Sequence, residues 1–244
     1  VAHYLVLDFL PACDALLDQN LVNTRVHDAG GRNFAQLLPG VGDAAAGAAE
    51  RVRRTDDDRQ TDLAGEIDRI LDTNLRGSIA FIRAAIPHLR KQGGGRIIQI
   101  SSYGGQVAYP GNSLYHATKF GIEGFCESVA QEVAPFGIDV TIVEPGGART
   151  EFRYGSARVA KLMPEYDGSA THAFLKMLDP KNGLAPGDPA KMAARIIESA
   201  ETEKPLLHMV LGSQALKATI ATLQKRLAEY ETETKLAAST DIVE

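Results

Sequence analysis

Residues 96–147 read RIIQISSYGGQVAYPGNSLYHATKFGIEGFCESVAQEVAPFGIDVTIVEPGG. The run RIIQI at 96–100 has the length and β-branched composition of a buried parallel strand. A loop rich in Ser and Gly follows, and Asn112 or Ser113 can cap the long helix that comes next. The apolar run IDVTIVEPGG at 138–147 predicts a second strand. Strand, helix and strand in this order predict a right-handed βαβ unit with parallel strands.

The same alternation of helix and strand extends to both sides of this stretch. Apolar residues recur at helical spacing from Glu66 to Leu89, and Pro87 is expected to kink this helix. Further along the chain, AKMAARIIESA at 190–200 predicts a helix and PLLHMVLG at 205–212 predicts another strand. The sequence therefore predicts an α/β fold built on a parallel sheet.

Composition and charge bound the class of protein. A chain of 244 residues with 44% hydrophobic and 23% charged residues is expected to form one globular domain. Its net charge of -5 gives no electrostatic attraction to nucleic acid or to anionic lipid, so neither is expected as a partner. No apolar run reaches the roughly 18 residues that a membrane span needs. The opening residues also lack the basic region that is typical of a secretory signal.

Cysteine and histidine usage indicates neither a disulfide framework nor a metal site. Cys13 and Cys126 lie far apart without CxxC spacing, so a reducing cytoplasm fits the sequence best. The DDD run at 56–58 is interpreted as a solvated run of charge rather than a metal cluster. Four histidines have no partner at metal-ligand spacing, so no metal is predicted: His27, His88, His172 and His208.

Three polar residues are expected to converge at the carboxyl edge of the sheet. Tyr115 and Lys119 project from one face of the predicted helix, and Ser102 stands directly after the first strand. A phenol has a pKa of about 10, so Tyr115 can serve as an acid or base near neutral pH only if a cation such as Lys119 stabilises its phenolate. Ser102 can donate a hydrogen bond to a carbonyl oxygen while Tyr115 delivers or removes a proton. His116 points about 100° away around the helix and is expected to have no catalytic role.

No protein side chain supplies a hydride, so this chemistry requires a hydride carrier, and nicotinamide is the natural one on such a sheet. At this point the residues resemble those of the short-chain dehydrogenase/reductase family, which has a Rossmann-like, doubly wound parallel sheet. SS, YxxxK and PGxxxT occur in the family's order and at its spacing, and LDTNLRG at 71–77 resembles a further motif. The likeness covers about residues 66–244. It implies an oxidoreductase that interconverts an alcohol and a carbonyl on a small, hydrophobic substrate with NAD or NADP.

The resemblance also implies a role for each matching residue. Ser102 would orient the substrate carbonyl, Tyr115 would be the acid/base, and Lys119 would also hold the nicotinamide ribose. Asn74 would complete the catalytic set by holding a helix bulge and a water that relays protons. The cofactor-binding residues implied in this way are Asn74, Tyr115, Lys119, Pro145, Gly146 and Thr150.

The first 65 residues depart from the family's pattern. Its TGxxxGxG loop and NNAG motif are absent, and GVGDAAAG at 40–47 stands too close to Asn74 for three βα units to lie between them. We interpret GVGDAAAG as an Ala-rich helix with a Gly turn. We predict a single Rossmann-like domain over 1–244, in which 66–244 is the catalytic part. Its dinucleotide half, 1–65, is expected to be short or aberrant, as a truncated or frameshifted reading frame would make it.

Two other functions are left open by the sequence. One is a non-catalytic remnant that keeps the catalytic residues but cannot hold a dinucleotide, and the other is an interaction module built on the charged helix predicted at 215–236. Apolar residues within 152–178 form either a lid over a hydrophobic substrate or a loop packed on its own core. The resemblance implies a homo-oligomer assembled through the helices at 66–91 and 112–135.

Overall fold

A parallel sheet lies at the centre of the part of the chain that can be described. A computed structural model describes residues 4–7, 63–152 and 162–242. The described strands are parallel and lie side by side in chain order. They are β1 Tyr4–Leu7, β2 Gly95–Ile100, β3 Ile138–Pro145 and β4 His208–Leu211.

Helices precede and follow these strands in the alternation that the sequence predicts. Short 3-10 turns occur between them, including one at Tyr103–Gly105 after β2. The helices are α1 Leu63–Leu71, α2 Gly77–Lys91, α3 Ser113–Val133, α4 Ala170–Leu178, α5 Pro189–Glu201, α6 Ser213–Thr232 and α7 Thr234–Ala238. Within these residues, no helix is both long and apolar enough to cross a bilayer.

The helices cover both faces of the sheet because the buried strands are apolar on both sides. Ile97 and Ile142 pack with buried residues of α2 and α3 in one core cluster. Ile98 and Val143 belong to a second cluster, which includes Ala200 of α5. Successive strand residues point to opposite faces, so neighbours such as Ile97 and Ile98 enter different clusters. This arrangement confirms the predicted doubly wound, Rossmann-like sheet.

The long helix predicted from Glu66 to Leu89 is interrupted by a π-helical turn at Asp72–Arg76, where the resemblance implies a helix bulge held by Asn74. Helix α2 continues past Pro87 to Lys91. The backbone N–H of Gly77 donates to the carbonyl of Asp72, five residues back. A single π-helical turn of this kind inserts one extra residue and is frequent at functional sites.

The N-terminal residues contribute one described strand, whose pairing was not predicted. β1 pairs with β2 in the register Tyr4 to Arg96 through Leu7 to Gln99. The interpretations placed on Cys13, on His27, on GVGDAAAG and on the DDD run lie outside the described residues. The same holds for most of the predicted short dinucleotide half.

Candidate active site

Four residues singled out from the sequence lie around the carboxyl end of β2, and we call them the motif cluster. Ser102 begins the turn that follows β2, and Tyr115 and Lys119 stand in the first two turns of α3. Asn74 lies in the π-helical turn that joins α1 to α2. Helix α3 packs against this π-helical turn and against the turn after β2, so elements from three parts of the sequence meet here.

Lys119 is the charged member of the motif cluster. It is 2% exposed, and its Nζ donates a hydrogen bond to the carbonyl of Ile100 at 3.3 Å. The same Nζ lies 5.8 Å from the centroid of the Tyr115 ring. A lysine buried to this degree is costly unless its charge is used or compensated. The Lys119 ammonium lies close to the partly buried Tyr115 ring, as a spacing of four residues along a helix predicts.

Asn74 is tied to the helix that carries Tyr115. Its Nδ2 donates to Thr118 Oγ1 at 3.3 Å, and Thr118 Oγ1 donates to the carbonyl of Tyr115 at 2.7 Å. The backbone carbonyl of Asn74 accepts from Ser78 Oγ at 3.2 Å. Asn74 Oδ1 is buried and has no hydrogen-bond partner among the described residues. A buried amide oxygen in this condition is suited to a bound water or a ligand donor.

Ser102 is held by the turn that follows it. Its Oγ accepts a hydrogen bond from the backbone N–H of Gly104 at 3.0 Å, and the side chain is nearly buried. A Cβ added to Gly104 would lie 3.2 Å from the His116 ring, and one added to Gly105 would lie 2.6 Å from Glu123 Oε1. The two glycines therefore allow the Ser102 turn to pack directly on α3.

His116 holds this turn in place, which is a role that sequence reasoning missed. Its Nδ1 lies 2.7 Å from the carbonyl of Gly104, and its Nε2 accepts from the backbone N–H of Tyr109 at 2.9 Å. The tautomer that carries its proton on Nδ1 satisfies both contacts. The His116 ring lies edge-on to the Tyr115 ring, with centroids 5.9 Å apart, and it connects α3 to both ends of the Ser102 loop at 101–112. The adjacent glycines at 104–105 were the available signal for such a close contact.

The residues expected to line the cofactor follow β3. The N–H of Gly146 donates to the carbonyl of Leu211 at 2.8 Å, and a Cβ on Gly146 would lie 2.9 Å from Ala215 Cβ. The glycine thus lets α6 approach the end of β3. Pro145 is the last residue of β3. Thr150 lies five residues further along the chain, just after Ala148, which forms a backbone bridge with Gly187. This placement puts the three positions on the same sheet edge as Ser102.

Aromatic residues beside the motif cluster connect the Ser102 loop to α4. Tyr109 stacks on Phe174 with ring centroids 5.4 Å apart, and it also contacts Tyr103 at 5.7 Å. A Cβ on Gly111 would lie 3.2 Å from Thr171. The described part of the 152–178 segment therefore packs on the loop that leads into α3.

Cys126, further along α3, has no place in this chemistry. It is fully buried in the core, and burial, reinforced by Glu123 and Glu127, raises the pKa of its thiol to about 12. The thiolate is the reactive form of cysteine. Cys126 is therefore a packing residue.

Comparison with known proteins gives a consistent result. A family model described as short chain dehydrogenase matches residues 44–158, so the likeness begins before the residue 66 expected from the motifs. The protein "Oxidoreductase BOA17" of Botryotinia fuckeliana is 35% identical over 147 residues, which are 60% of this chain and 53% of that protein. The human 17-beta-hydroxysteroid dehydrogenase type 1 is 30% identical over 57% of this chain and 43% of its own length. The chain thus spans about half the length of these two curated relatives.

A solved structure gives the more extensive match. The short-chain dehydrogenase from Streptomyces avermitilis is 31% identical, with a TM-score of 0.67. The match covers 86% of this chain and 85% of that one. Because the likeness holds in sequence and in fold over most of both proteins, the chain belongs to the short-chain dehydrogenase family of oxidoreductases.

Proposed function

We propose that the chain is an NAD- or NADP-dependent oxidoreductase that interconverts an alcohol and a carbonyl. The observation that carries this proposal is the buried Lys119 ammonium close to the ring of Tyr115, at the sheet edge where Ser102 also lies. An acid/base tyrosine needs a neighbouring cation that stabilises its phenolate. A serine on the same edge can donate a hydrogen bond to the oxygen where charge develops.

The proposed reaction divides the work among these side chains. In the direction of reduction, Ser102 donates a hydrogen bond to the substrate carbonyl oxygen and Tyr115 delivers a proton to it. Lys119 stabilises the phenolate that remains on Tyr115. In the direction of oxidation the same side chains act in reverse, and Tyr115 takes up the proton of the alcohol. Asn74, through Thr118, holds the first turn of α3 and offers its Oδ1 to a water that connects Lys119 to solvent.

The residues at the end of β2 and β3 fit the nicotinamide end of such a cofactor. When bound there, nicotinamide would supply or accept the hydride that no side chain can provide. Lys119 and Tyr115 would hold its ribose, and Pro145, Gly146 and Thr150 would line its ring. Asn74 Oδ1, buried and without a described partner, provides the polar atom that an occupied site would use.

The substrate proposed for this site is a small, hydrophobic ketone or alcohol. Several large apolar side chains of the 162–178 segment, whose Phe174 stacks on Tyr109, are about half exposed. They are Leu162, Met163, Tyr166 and Met177. Apolar surface that lines a site stabilises an apolar substrate in its bound form. Bulky apolar ketones should therefore turn over faster than short polar ones, and equal rates would exclude a lid role for this segment.

The proposed assembly is a homo-oligomer of single-domain chains, joined through the helical region 66–91 and α3. The small residues along α3 support this surface. Gly121 packs on Leu75, whereas Ala117, Gly124 and Ser128 are exposed. Exposed small residues on a helix allow a second backbone to approach closely. Sedimentation velocity would test it, because a monomer at micromolar concentration would contradict the assembly.

A titration with nicotinamide cofactor tests the proposed function. The chain should bind NADH or NADPH saturably, as followed by nicotinamide fluorescence, and Lys119→Met should weaken that binding while the exposed control Lys225→Met should not. The competing interpretation is a remnant that cannot hold a dinucleotide. It is favoured by the missing TGxxxGxG motif. The remnant predicts no saturable binding of either cofactor.

A further inference from the structure

A second polar cluster lies on α3 beyond Lys119, on the sheet face that α3 covers. Its members are Glu123 of α3, Glu144 of β3 and His208 of β4, and we call them the acidic cluster. Glu144 Oε1 lies 2.8 Å from His208 Nδ1, and Glu123 Oε2 lies 3.6 Å from the same nitrogen. Three elements that are remote in sequence are therefore brought together at one point.

The acidic cluster places two buried carboxyl groups beside one partly exposed imidazole. Glu123 is 3% exposed and Glu144 is 1% exposed, whereas the His208 side chain is 38% exposed. Burial raises the pKa of Glu123 to about 7, with a further contribution from Glu144, and burial likewise raises the pKa of Glu144. Removing a carboxylate from water is costly unless a proton or a cation compensates it. One imidazole cannot balance two ionised carboxylates.

Two carboxyl oxygen atoms of the acidic cluster are buried without a hydrogen bond. Glu123 Oε1 and Glu144 Oε2 have no partner among the described residues. Ser101 Oγ, a 2% exposed hydroxyl, lies next to Glu123 and lowers the pKa of that carboxyl as a hydrogen-bond donor, and Gln106 Nε2 donates to Glu123 Oε2 at 3.4 Å. Buried polar atoms are normally satisfied, so their concentration here indicates a missing partner.

The spacing of the donor atoms suits one small cation. One ligand atom from each member can be chosen so that all three lie within 4.8 Å of one another. Carboxylate oxygens and imidazole nitrogens bind Zn²⁺ at about 2.0–2.2 Å, which places neighbouring ligands about 3–4 Å apart. Small side-chain movements would therefore suffice. The His208 side chain is 38% exposed, so an ion can reach the acidic cluster from solvent on that side.

We propose that Glu123, Glu144 and His208 bind a divalent transition-metal ion of the Zn²⁺ class, with water in the remaining position. The ion would replace the hydrogen that His208 Nδ1 shares with Glu144 and would compensate the buried carboxylates. Zinc is the first choice because an imidazole nitrogen such as that of His208 is a good ligand for Zn²⁺. Mg²⁺ instead prefers an octahedral shell made only of oxygen atoms. Its role would be structural, since it would join α3 to β3 and β4. The proposal does not rest on the proposed oxidoreductase activity.

Calorimetry with zinc chloride alone tests this site on chelator-treated, tag-free chain. One ion should bind per chain, and zinc should raise the thermal midpoint because it binds only the folded site. Glu144→Gln and His208→Gln should each weaken binding by at least about tenfold, which is the smallest loss expected when even an outer contact of a metal site is removed. Mg²⁺ should not compete at equal concentration.

One variant serves as the control for adventitious binding. Asp167 carries an exposed carboxylate 3.0 Å from the Nδ1 of the buried His172, and it lies outside the acidic cluster. Asp167→Asn should leave zinc affinity unchanged. The proposal is overturned by absence of saturable binding, or by affinity that falls in the control variant but not in His208→Gln. If Glu144→Gln does not fold, as circular dichroism would show, His208→Gln alone decides, because that side chain lies partly in solvent.

Discussion

The motif cluster and the acidic cluster share helix α3 but are built in opposite ways. In the first, Tyr115 and Lys119 are one helical turn apart, and the Lys119 ammonium is matched by the carbonyl of Ile100. In the second, the carboxyl groups of Glu123 and Glu144 are buried, and each has an oxygen without a partner among the described residues. The Tyr115–Lys119 pair within one helix can be recognised from its spacing, whereas a cluster assembled from α3, β3 and β4 cannot. The difference separates the residues proposed for catalysis from those proposed to hold an ion.

Ser102→Ala is expected to produce a large loss of kcat, second to that expected for Tyr115→Phe. The variant removes one hydrogen-bond donor aimed at the developing oxyanion, and such donors are worth about 10²–10³ in kcat. Steady-state rates with a ketone and NADH or NADPH measure it. Ser128→Ala, an exposed serine on α3, is the matched control and should behave like the parent. A loss below about threefold would remove Ser102 from the proposed mechanism.

His116→Ala is expected to have an intermediate effect. It deletes the contacts that fix Gly104 and Tyr109 on α3, so the Ser102 hydroxyl is no longer held in place. Misplacement of a reacting group by about 1 Å can cost up to about 10²-fold, and we expect a 10- to 100-fold loss of kcat. Cofactor affinity should stay nearly constant, because His116 is not among the residues proposed to hold the cofactor. His88→Ala, on the exposed face of α2, is the control.

A parallel fall in cofactor affinity and kcat would instead assign His116 a general structural role. Fluorescence titration of the same variant separates the two outcomes. This readout matters because a merely destabilised loop would alter both quantities.

Glu123→Gln is expected to have the smallest effect, on stability and its pH dependence. The pKa of Glu123 is about 7 in the folded chain and 4.5 when unperturbed, so the folded state retains a proton that the unfolded state loses between these values. Stability should therefore fall as pH rises through this window. Glutamine cannot ionise, so it should remove this pH-dependent loss of stability, which amounts to about 2 kcal/mol at most near neutral pH. Urea unfolding at about pH 5 and pH 7.5, with a chelator present, measures it, and parallel curves for parent and variant would contradict it.

The part of the fold that the sequence revealed is the part built from local pattern. β2, α3 and β3 follow from β-branched runs and helical spacing, and the structure places them within a few residues of the predicted bounds. Helical periodicity alone could not locate the π-helical turn at Asp72–Arg76, although the family resemblance implies a helix bulge held by Asn74. Nor could the sequence pair Tyr4–Leu7 with β2, since strand order is a long-range property.

The candidate site divides in the same way. The convergence of Tyr115, Lys119 and Ser102 was predictable from spacing and from the edge rule of parallel sheets. The contacts of His116 were not, because they are made to backbone atoms of a loop. His208 was judged to lack metal-ligand partners on sequence spacing, yet folding places it beside Glu123 and Glu144. Pairings between distant strands leave no periodic signal in a single sequence.

The central claim is that Tyr115 is the acid/base of nicotinamide-dependent carbonyl chemistry. It is tested most directly by the rate at which a bulky apolar ketone drives NADH or NADPH oxidation in the parent and in Tyr115→Phe, with the exposed Tyr230→Phe as control. Phenylalanine keeps the ring and removes the proton donor. If Tyr115 is the acid/base, turnover should fall by at least about 10³-fold while cofactor affinity is nearly unchanged. Retention of a substantial fraction of the parent's rate by Tyr115→Phe would contradict it.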